Sequence, residues 1–352
     1  AEETEMEKLA KAYREFLDKG KTERECVAEI VKEAEAAGYE SLESKLEKGE
    51  KIKAGDKVYA VGMKKIVALF HVGTEELSGG MSILCAHIDS PRLDVKQNPL
   101  YEDTDLAYLD THYYGGVKKY QWVTLPLAMH GVVAKKDGSI VEISIGEDAE
   151  DPVLLHHRSS GPSFRKNSSR KKAAEVIEGE MLDILIGSRP LAELPDDSKK
   201  DAVKQNVLKI LNEKYGIEEE DFLSAELEIV PAGKARDCGL DRSMIAAYGQ
   251  DDRVCAYTSL AAMLEMEETP KRTGCCLLVD KEEIGSVGAT GMQSRFFENS
   301  VAELLDGMGC YSELALRRAL RNSSMLSSDV SAGYDPAYGE AFEKKNAAYL
   351  GR

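Results

Sequence analysis

Two short apolar runs that lie far apart in the chain constrain the fold more than any other feature of the sequence. Met81 to Ala86 and Cys275 to Val279 are the longest such runs, and both are short enough to be buried strands. A strand that is apolar almost throughout belongs in the centre of a sheet whose two faces are both covered. The two runs therefore predict a central sheet flanked by helices.

Helical and strand patterns alternate on both sides of a middle segment that has a different texture. Alternating strands and helices that resume after an interruption predict one α/β domain split by an insertion. The predicted insertion, from about Tyr101 to Val230, is largely β with one helix near Lys199 to Tyr215. The flanking parts are predicted to contain two helices within residues 4–38, strands at Val58 to His71, Met81 to His87 and Thr273 to Val279, helices at Val254 to Met266, Phe296 to Leu305 and Ser312 to Leu320, and a short strand ending near Asp329.

The composition excludes several classes of protein. The chain of 352 residues is 43% hydrophobic and 31% charged, a balance typical of a soluble globular protein rather than a disordered or membrane protein. Its net charge of −17 would repel a phosphate backbone, and no apolar run approaches the roughly 18 residues that span a bilayer, so neither nucleic acid nor a membrane is expected as a partner. The acidic N-terminal residues lack the pattern of a secretory signal. Seven scattered cysteines without a C-x-x-C pair predict reduced thiols in a cytoplasmic protein.

Ligand-type side chains follow the predicted strands. The sequence has no G-x-S-x-G, H-E-x-x-H, G-x-x-x-x-G-K or G-x-G-x-x-G motif, so serine hydrolases, helix-borne zinc proteases and nucleotide binders lose support. His87 and Asp89 come directly after the first apolar run. A carboxylate at this distance could hold one imidazole nitrogen while the other binds a metal ion. Taken alone, His87 could equally be a polar residue at the edge of a sheet.

Three further acidic positions follow the same pattern, each with an ordinary alternative. Asp251 and Asp252 precede a predicted helix, where aspartate is a favoured N-cap but could also bridge two cations. Glu282 and Glu283 follow the second apolar run, and consecutive residues leaving a strand point to different sides, so one could bind metal while the other faces an attacking water. An exposed acidic turn is the alternative there. Asp329 ends the last predicted strand.

The combination of these positions is more informative than any one of them. In open α/β sheets, ligand sites collect at the carboxyl ends of strands, and four strand ends here present ligand-type side chains. One histidine with several carboxylates suits zinc, manganese or cobalt better than calcium. The sequence therefore predicts a transition-metal site at this edge of the sheet.

Five motifs resemble those of the aspartyl aminopeptidase family of dinuclear metallopeptidases, in order along almost the whole chain. They are Ala-His-Ile-Asp-Ser-Pro-Arg-Leu, Tyr-Tyr-Gly-Gly followed by Tyr-Gln-Trp ending at Trp122, Gly-Gln-Asp-Asp-Arg, Asp-Lys-Glu-Glu-Ile-Gly-Ser and Ser-Ser-Asp-Val. The resemblance implies an α/β, zinc-peptidase-like catalytic domain with a mixed sheet flanked by helices, at 1–98 and 235–352. It implies an inserted, mainly β dimerisation domain at 99–234. It also implies peptide substrates and a homo-oligomer, a dodecamer built from dimers.

The resemblance also implies a role for each motif residue. His87 and Asp329 would bind one divalent ion, Glu283 the other, and Asp252 would bridge them, with zinc the expected metal and cobalt or manganese the alternatives. Glu282 would be the general base that takes a proton from water and returns it to the leaving amine. Asp89 would orient His87.

Two departures from the family pattern qualify these expectations. The family's second metal takes a histidine near the C-terminus, but no histidine follows residue 157 here, and family members continue beyond the point that matches Arg352. We therefore expect either an incomplete record of a longer chain or a truncated and impaired enzyme. The segment 155–170 does not align. His156 or His157 is a candidate counterpart of the family histidine that reaches a neighbouring subunit's active site, with an ordinary loop histidine as the alternative.

A basic run lies just beyond these histidines. Arg165, Lys166, Arg170, Lys171 and Lys172 lie among serine, asparagine and glycine, and Phe164 is the one aromatic residue nearby. Sites for single-stranded nucleic acid usually interleave aromatic and basic residues. A solvated loop is therefore the favoured interpretation, and a ligand-binding patch is the alternative.

The leading functional prediction is a metal-dependent aminopeptidase that removes N-terminal residues, acidic ones by the family's name, from peptides. The missing histidine motivates a second hypothesis, a non-catalytic or impaired homologue that keeps the assembly and has lost one metal site. A related dinuclear deacylase acting on a small N-acyl substrate is a third. Because Glu282 accompanies every remaining ligand, catalysis is favoured over a purely structural role.

Overall fold

A computed structural model of the protein describes residues 2–156, 172–192 and 200–350. The helices, in chain order, are α1 (Glu2–Lys19), α2 (Glu23–Ala36), α3 (Leu42–Glu47), α4 (Lys119–Trp122), α5 (Ala173–Val176), α6 (Ala202–Tyr215), α7 (Gln250–Leu264), α8 (Phe296–Gly307) and α9 (Glu313–Asn322). Short 3₁₀ helices occur at Leu77–Gly79, Gly179–Met181, Glu219–Ser224, Glu282–Ile284 and Pro336–Ala341.

The strands, in chain order, are β1 (Glu40–Ser41), β2 (Lys57–Gly62), β3 (Ile66–His71), β4 (Ser82–His87), β5 (Arg92–Asp103), β6 (Leu106–Tyr114), β7 (Leu127–Ala134), β8 (Ile140–Ile145), β9 (Leu155–His156), β10 (Ile184–Gly187), β11 (Ala225–Pro231), β12 (Arg236–Cys238), β13 (Met244–Ala246), β14 (Gly274–Val279) and β15 (Ser324–Ser327). The predicted α/β class with a mixed sheet is confirmed. The predicted strands and helices outside the insertion agree with these bounds to within a few residues.

The chain forms two compact units, and each consists of segments that are separated in sequence. The first unit contains residues 1–29, 89–249 and 281–287, and the second contains residues 30–88, 250–280 and 288–352. Helix α2 crosses the boundary between them at residue 29. The domain boundaries predicted at 98 and 234 stay a prediction, and the two units divide the chain at other residues.

The second unit is built on a six-stranded mixed sheet in the order β1-β2-β3-β14-β4-β15. The two apolar runs of the sequence form its adjacent strands β4 and β14, which pair in parallel with Val279 opposite His87. Strand β14 is buried along its whole length. Strand β15, on the other side of β4, also runs parallel to β4, with Ser327 opposite Cys85. The carboxyl ends of these three strands therefore meet at one edge of the sheet.

The core of the second unit lies where helices cover this sheet. Phe70, Leu277 and Val301 are fully buried members of one apolar cluster, to which β3, β14 and α8 contribute side chains. Helix α9 adds Leu316 and Ala319 to the same cluster. Burying apolar surface from both elements stabilises the sheet and fixes the positions at which its strands end.

The first unit contains a seven-stranded sheet in the order β8-β7-β11-β5-β6-β10-β9 and a separate β12–β13 hairpin. Every printed pairing in this sheet is antiparallel. Helix α6 packs on it through Val203 and Val207. At the start of α2, Thr22 and Glu25 form the predicted capping box, since each backbone amide donates to the other side chain. No helix in the described ranges is long and apolar enough to cross a membrane.

Candidate metal centre

His87 lies at the carboxyl end of β4 in the second unit, where the strand-end pattern predicted a ligand. Its ring is 3% exposed. Nε2 is 3.1 Å from Asp251 Oδ1 and 3.8 Å from Asp329 Oδ1. The structure therefore brings together the ends of β4 and β15 and the start of α7, three places that are far apart in the chain.

Three carboxylates surround this histidine. One oxygen from each of Asp251, Asp252 and Asp329 lies within 4.8 Å of the others. Asp251 and Asp329 are half exposed, with 54% and 49% of their side-chain surfaces accessible, whereas Asp252 is fully buried. Asp251 and Asp252 have non-helical backbone angles, so the regular part of α7 begins after them. An N-cap residue has non-helical angles as well, so the N-cap alternative stays open for these residues.

The environment of Asp252 tests whether this cluster suits a metal ion. Neither carboxylate oxygen has a conventional hydrogen-bond donor among the described residues, and the weak donor Cys255 is its neighbour. Burial, together with the charges of Asp329 and Asp251, raises the pKa of Asp252 to about 6, against the opposite effects of Cys255 and His87. A buried carboxylate without donors requires a cation or a proton, and histidine with carboxylates is a donor set that binds zinc.

The first unit carries the other predicted site residues on a tight turn. Glu282 and Glu283 begin the 3₁₀ helix after β14, between Lys281 and Gly285, which both have left-handed backbone angles. The Glu282 amide donates to Asp89 Oδ1 and the Glu283 amide to Asp89 Oδ2, each over 3.1 Å. Asp89 is fully buried. The backbone that carries the two glutamates is therefore held by Asp89.

This arrangement gives Asp89 a contact that the sequence did not reveal. The sequence assigned Asp89 to orienting His87, and that contact stays a prediction. Within the first unit, Asp89 accepts hydrogen bonds from the backbone of the Glu282–Glu283 turn. A buried carboxylate that accepts backbone amides has its charge partly compensated, which is the usual condition for burying one.

Of the two predicted substrate-binding histidines, His156 is described and His157 lies outside the described residues. His156 is 2% exposed in β9, and neither ring nitrogen has a hydrogen-bond partner among the described residues. Burial lowers its pKa to about 4, against the effect of the nearby backbone of Asp183 and Leu182. Its assignment to substrate binding stays a prediction. The basic run, apart from Lys172, also lies outside the described residues.

Comparison with known proteins identifies one family. A family model described as Aminopeptidase I zinc metalloprotease (M18) matches residues 16–352. A probable M18 family aminopeptidase 1 of Clostridium acetobutylicum is 60% identical over 349 residues, covering 98% of this chain and 73% of that protein. The corresponding protein of Thermotoga maritima is 44% identical, with 99% of this chain and 74% of that protein covered. The chain thus spans about three quarters of the length of these relatives.

Solved structures of the same family share the fold. The crystal structure of the Thermotoga maritima M18 aminopeptidase matches with a TM-score of 0.91 at 44% identity, covering 99% of this chain and 74% of that one. Aminopeptidase I from Clostridium acetobutylicum matches with a TM-score of 0.86 at 57% identity, covering 97% and 73%. The mApe1 dodecamer of Saccharomyces cerevisiae has the same fold at 19% identity, with a TM-score of 0.76 and coverage of 98% and 76%.

The mixed sheet and the cluster of histidine and carboxylates at its edge define a metallopeptidase. The chain belongs to the M18 aminopeptidase family and is a metal-dependent aminopeptidase, as its resemblance to the aspartyl aminopeptidases predicted. The hypothesis of a non-catalytic homologue is not supported, since the relatives are named aminopeptidases. The family assignment likewise favours an aminopeptidase over a deacylase.

Two residues beside the predicted ligands were absent from the predicted set. Asp251 Oδ1 lies 3.1 Å from His87 Nε2 in the second unit, and Tyr114 donates to Asp89 in the first. Both belong to motifs that the sequence had already singled out. The motifs could not indicate which way these side chains point, because that depends on backbone angles at Asp251 and on strand pairing at Tyr114.

Proposed function

We propose that this aminopeptidase removes the N-terminal residue of peptides with Glu282 as general base. In this proposal, Glu282 takes a proton from the attacking water and delivers it to the leaving amine. His87 and Asp329 would hold one divalent ion, Glu283 a second, and Asp252 would bridge them. The observation that carries the proposal is the buried Asp252 carboxylate, which lacks conventional donors and lies beside His87 and Asp329.

Chain connectivity supports the assignment of the two glutamates to the same centre. Strands β4 and β14 are parallel neighbours, with His87 opposite Val279. Asp89 follows His87 by two residues, and Glu282 follows Val279 by three. Asp89 and Glu282 therefore both follow paired strand positions within three residues along the chain.

The metal would supply Lewis-acid chemistry, polarising the scissile carbonyl and lowering the pKa of water. The protein's contribution is the placement of charge. His87, Asp329 and Asp252 provide an anionic pocket wall in the second unit. Asp89 holds the backbone of the proposed base in the first unit, so that its carboxylate is oriented before substrate binds.

The proposal also specifies how many metal ions each subunit binds. We expect two per subunit, although this sequence lacks the late histidine that the family uses for the second ion. Metal analysis of protein loaded with zinc and then desalted gives the stoichiometry. Two ions per chain would agree with the proposal, and one would remove Glu283 from the set of ligands.

The role of Glu282 is tested by Glu282→Gln. The amide keeps the shape but cannot accept the proton, so kcat should fall by at least about 10²-fold, whereas the zinc content should stay unchanged. A matched control is Glu267→Gln, because Glu267 is exposed on the loop before β14. Retained turnover in Glu282→Gln would exclude Glu282 as base. Loss of both turnover and zinc would assign it to metal binding instead.

Substrate preference and assembly extend the proposal. The family resemblance favours acidic N-terminal residues, which a panel of aminoacyl anilides with Asp, Glu, Leu and Lys would test. The dodecamer of the distant yeast neighbour supports a homo-oligomer built from dimers, which mass photometry would measure. All seven cysteines are described and none forms a disulfide, which supports a reducing, cytoplasmic location.

The histidine pair and the domain boundaries also remain proposals. We assign substrate binding to His156 or His157, supported only by the family resemblance. Separate His156→Gln and His157→Gln variants should show which one raises KM. Peptide binding that is unchanged in both variants would remove the pair from the site. The split at 1–98 with 235–352 and 99–234 would be tested by whether 99–234 dimerises on its own.

A further inference from the structure

A buried tyrosine lies behind the turn that carries the two glutamates. Tyr114, the last residue of β6, donates its phenol hydrogen to Asp89 Oδ2 over 2.6 Å. The same carboxylate accepts the Glu282 and Glu283 amides. Tyr114 is 6% exposed and Asp89 is fully buried. Three hydrogen bonds within the first unit therefore converge on one carboxylate.

Two cations surround the ring of this tyrosine. The Arg92 guanidinium carbon is 3.7 Å from the ring centroid, and the Lys281 ammonium is 5.5 Å from it. A cation close to an aromatic ring is attracted by it, and it also makes a phenol a stronger donor toward a carboxylate. Arg92 is itself buried and held by Glu23 and Glu228. The phenol is thus both fixed in place and polarised toward Asp89.

The residue after Tyr114 touches the same turn. Gly115 has a φ of +69°, and a Cβ there would lie 3.1 Å from both Cβ and Oε2 of Glu283. Tyr114 and Gly115 belong to the Tyr-Tyr-Gly-Gly motif. This motif therefore contacts the Glu282–Glu283 turn at two points, through the backbone at Gly115 and through Asp89 at Tyr114.

We propose that Tyr114 is a positioning residue for the reaction: its hydrogen bond fixes Asp89, and Asp89 in turn fixes the backbone of Glu282 and Glu283. The proposal rests on the proposed function, which makes these glutamates the general base and a metal ligand. Tyr114 acts through Asp89 on both residues at once, because each of the two amides donates to a different oxygen of the same carboxylate. The Tyr114 bond prevents that carboxylate from rotating.

The test is Tyr114→Phe, which removes the hydroxyl and keeps the ring between its cations. Amide hydrogen exchange of the 280–287 segment, measured in the metal-free full-length protein, should become at least about tenfold faster, the usual effect of losing a hydrogen bond to a charged acceptor. The matched control is Tyr113→Phe, since Tyr113 is 39% exposed and stacks on His112. Unchanged exchange in Tyr114→Phe would overturn the proposal.

Two further measurements distinguish this positioning role from a general effect on stability. The first is which segments of the protein exchange faster, and the second is whether the effects of Tyr114→Phe and Asp89→Asn add. Exchange in β7 should stay unchanged in Tyr114→Phe, and an equal rise there would show general destabilisation and overturn the proposal. In an Asp89→Asn background, Tyr114→Phe should accelerate exchange no further, because the acceptor has already been altered. Additive effects would show that Tyr114 acts independently of Asp89 and would also overturn it.

Kinetic measurements distinguish a failure of this proposal from a failure of the proposed function. In the zinc-loaded enzyme, Tyr114→Phe should lower kcat about tenfold and leave KM within about twofold, since it affects the reacting groups rather than peptide binding. If Glu282→Gln retains full turnover, the proposed function fails. The exchange measurement still decides whether Tyr114 holds the turn.

Discussion

His130 and Glu25 form an ion pair in the first unit, with Nδ1 of the buried histidine 2.8 Å from Glu25 Oε1. Nε2 of the same ring is 2.9 Å from Glu147 Oε1, so both nitrogens face carboxylates. Each contact requires a proton on the ring nitrogen, and only imidazolium carries two. Lys21 lies 3.7 Å from Glu147 and balances the remaining charge. This cluster joins α2 to β7.

The His130 cluster predicts a pH dependence of stability. Burial alone would lower the pKa of His130, but hydrogen bonds to Glu147 and Glu25 raise it from 6.5 to about 9. Because the folded state holds the proton more tightly, this stabilisation is complete below about pH 6.5 and is lost as the pH rises through 9. The free energy of unfolding, measured with urea, should be roughly 2–3 kcal/mol lower at pH 9.5 than at pH 6.5.

At acidic pH, the stability that the same cluster provides depends on a different residue, Glu147. Burial would raise the pKa of Glu147, but His130 and Lys21 hold it below its usual value. Its contribution is therefore present at neutral pH and is lost only as the pH falls below 4.5. His130→Gln should remove the alkaline loss of stability, whereas His112→Gln, at an exposed pair with Glu180, should retain it. An unchanged alkaline slope in His130→Gln would exclude the ion pair as its source.

Asp252→Asn should separate metal binding from folding. The substitution removes a buried charge that lacks conventional donors, so the metal-free protein should unfold at the same temperature or a higher one. Zinc affinity should fall at least about 10²-fold, because one anionic ligand is lost. Chelator competition measures the affinity, and Asp306→Asn, at an exposed position of α8, is the control. Wild-type zinc affinity in Asp252→Asn would contradict the assignment of this residue as a ligand.

Gly115→Ala should destabilise the first unit and displace Glu283. Its left-handed backbone costs a non-glycine residue about 1–2 kcal/mol, and the added methyl group would press against Glu283. Gly116→Ala is a close control, since a Cβ there meets no atom within 4 Å and its φ is not left-handed. The urea concentration at the midpoint of unfolding and kcat should both fall for Gly115→Ala, and neither should fall for Gly116→Ala. Equal effects of the two substitutions would show that the close contact has no consequence.

Arg92→Gln should cause the largest loss of stability among these variants. Arg92 is 3% exposed and forms ion pairs with Glu23, Glu228 and Asp94. Removing it takes away the cation that these three carboxylates share, two of which are buried, and breaking a buried ion pair typically costs about 3–5 kcal/mol. Lys11→Gln, at an exposed pair with Glu15, should leave the unfolding curve unchanged. A loss for Arg92→Gln no larger than that for Lys11→Gln would show that the cluster contributes nothing.

The sequence predicted the ends of the sheet strands well because local patterns determine them. His87 ends the apolar strand β4 and Asp329 follows β15, and His87 Nε2 lies 3.8 Å from Asp329 Oδ1. The Thr22–Glu25 capping box was equally local. In contrast, local sequence patterns do not determine which way the adjacent carboxylates of Asp251 and Asp252 point. Asp251 Oδ1 lies 3.1 Å from His87 Nε2 and Asp252 is fully buried, and the backbone angles at both residues depart from those of the helix that follows.

By itself, the sequence determined the α/β class and the residue types at each strand end, because periodicity and strand-end chemistry are properties of short segments. The family motifs added the activity. Only the tertiary structure decided that Asp252 is buried without conventional donors and that Tyr114 holds Asp89. These relationships join residues that are distant in sequence, and they depend on strand register, burial and backbone angles that no local pattern encodes.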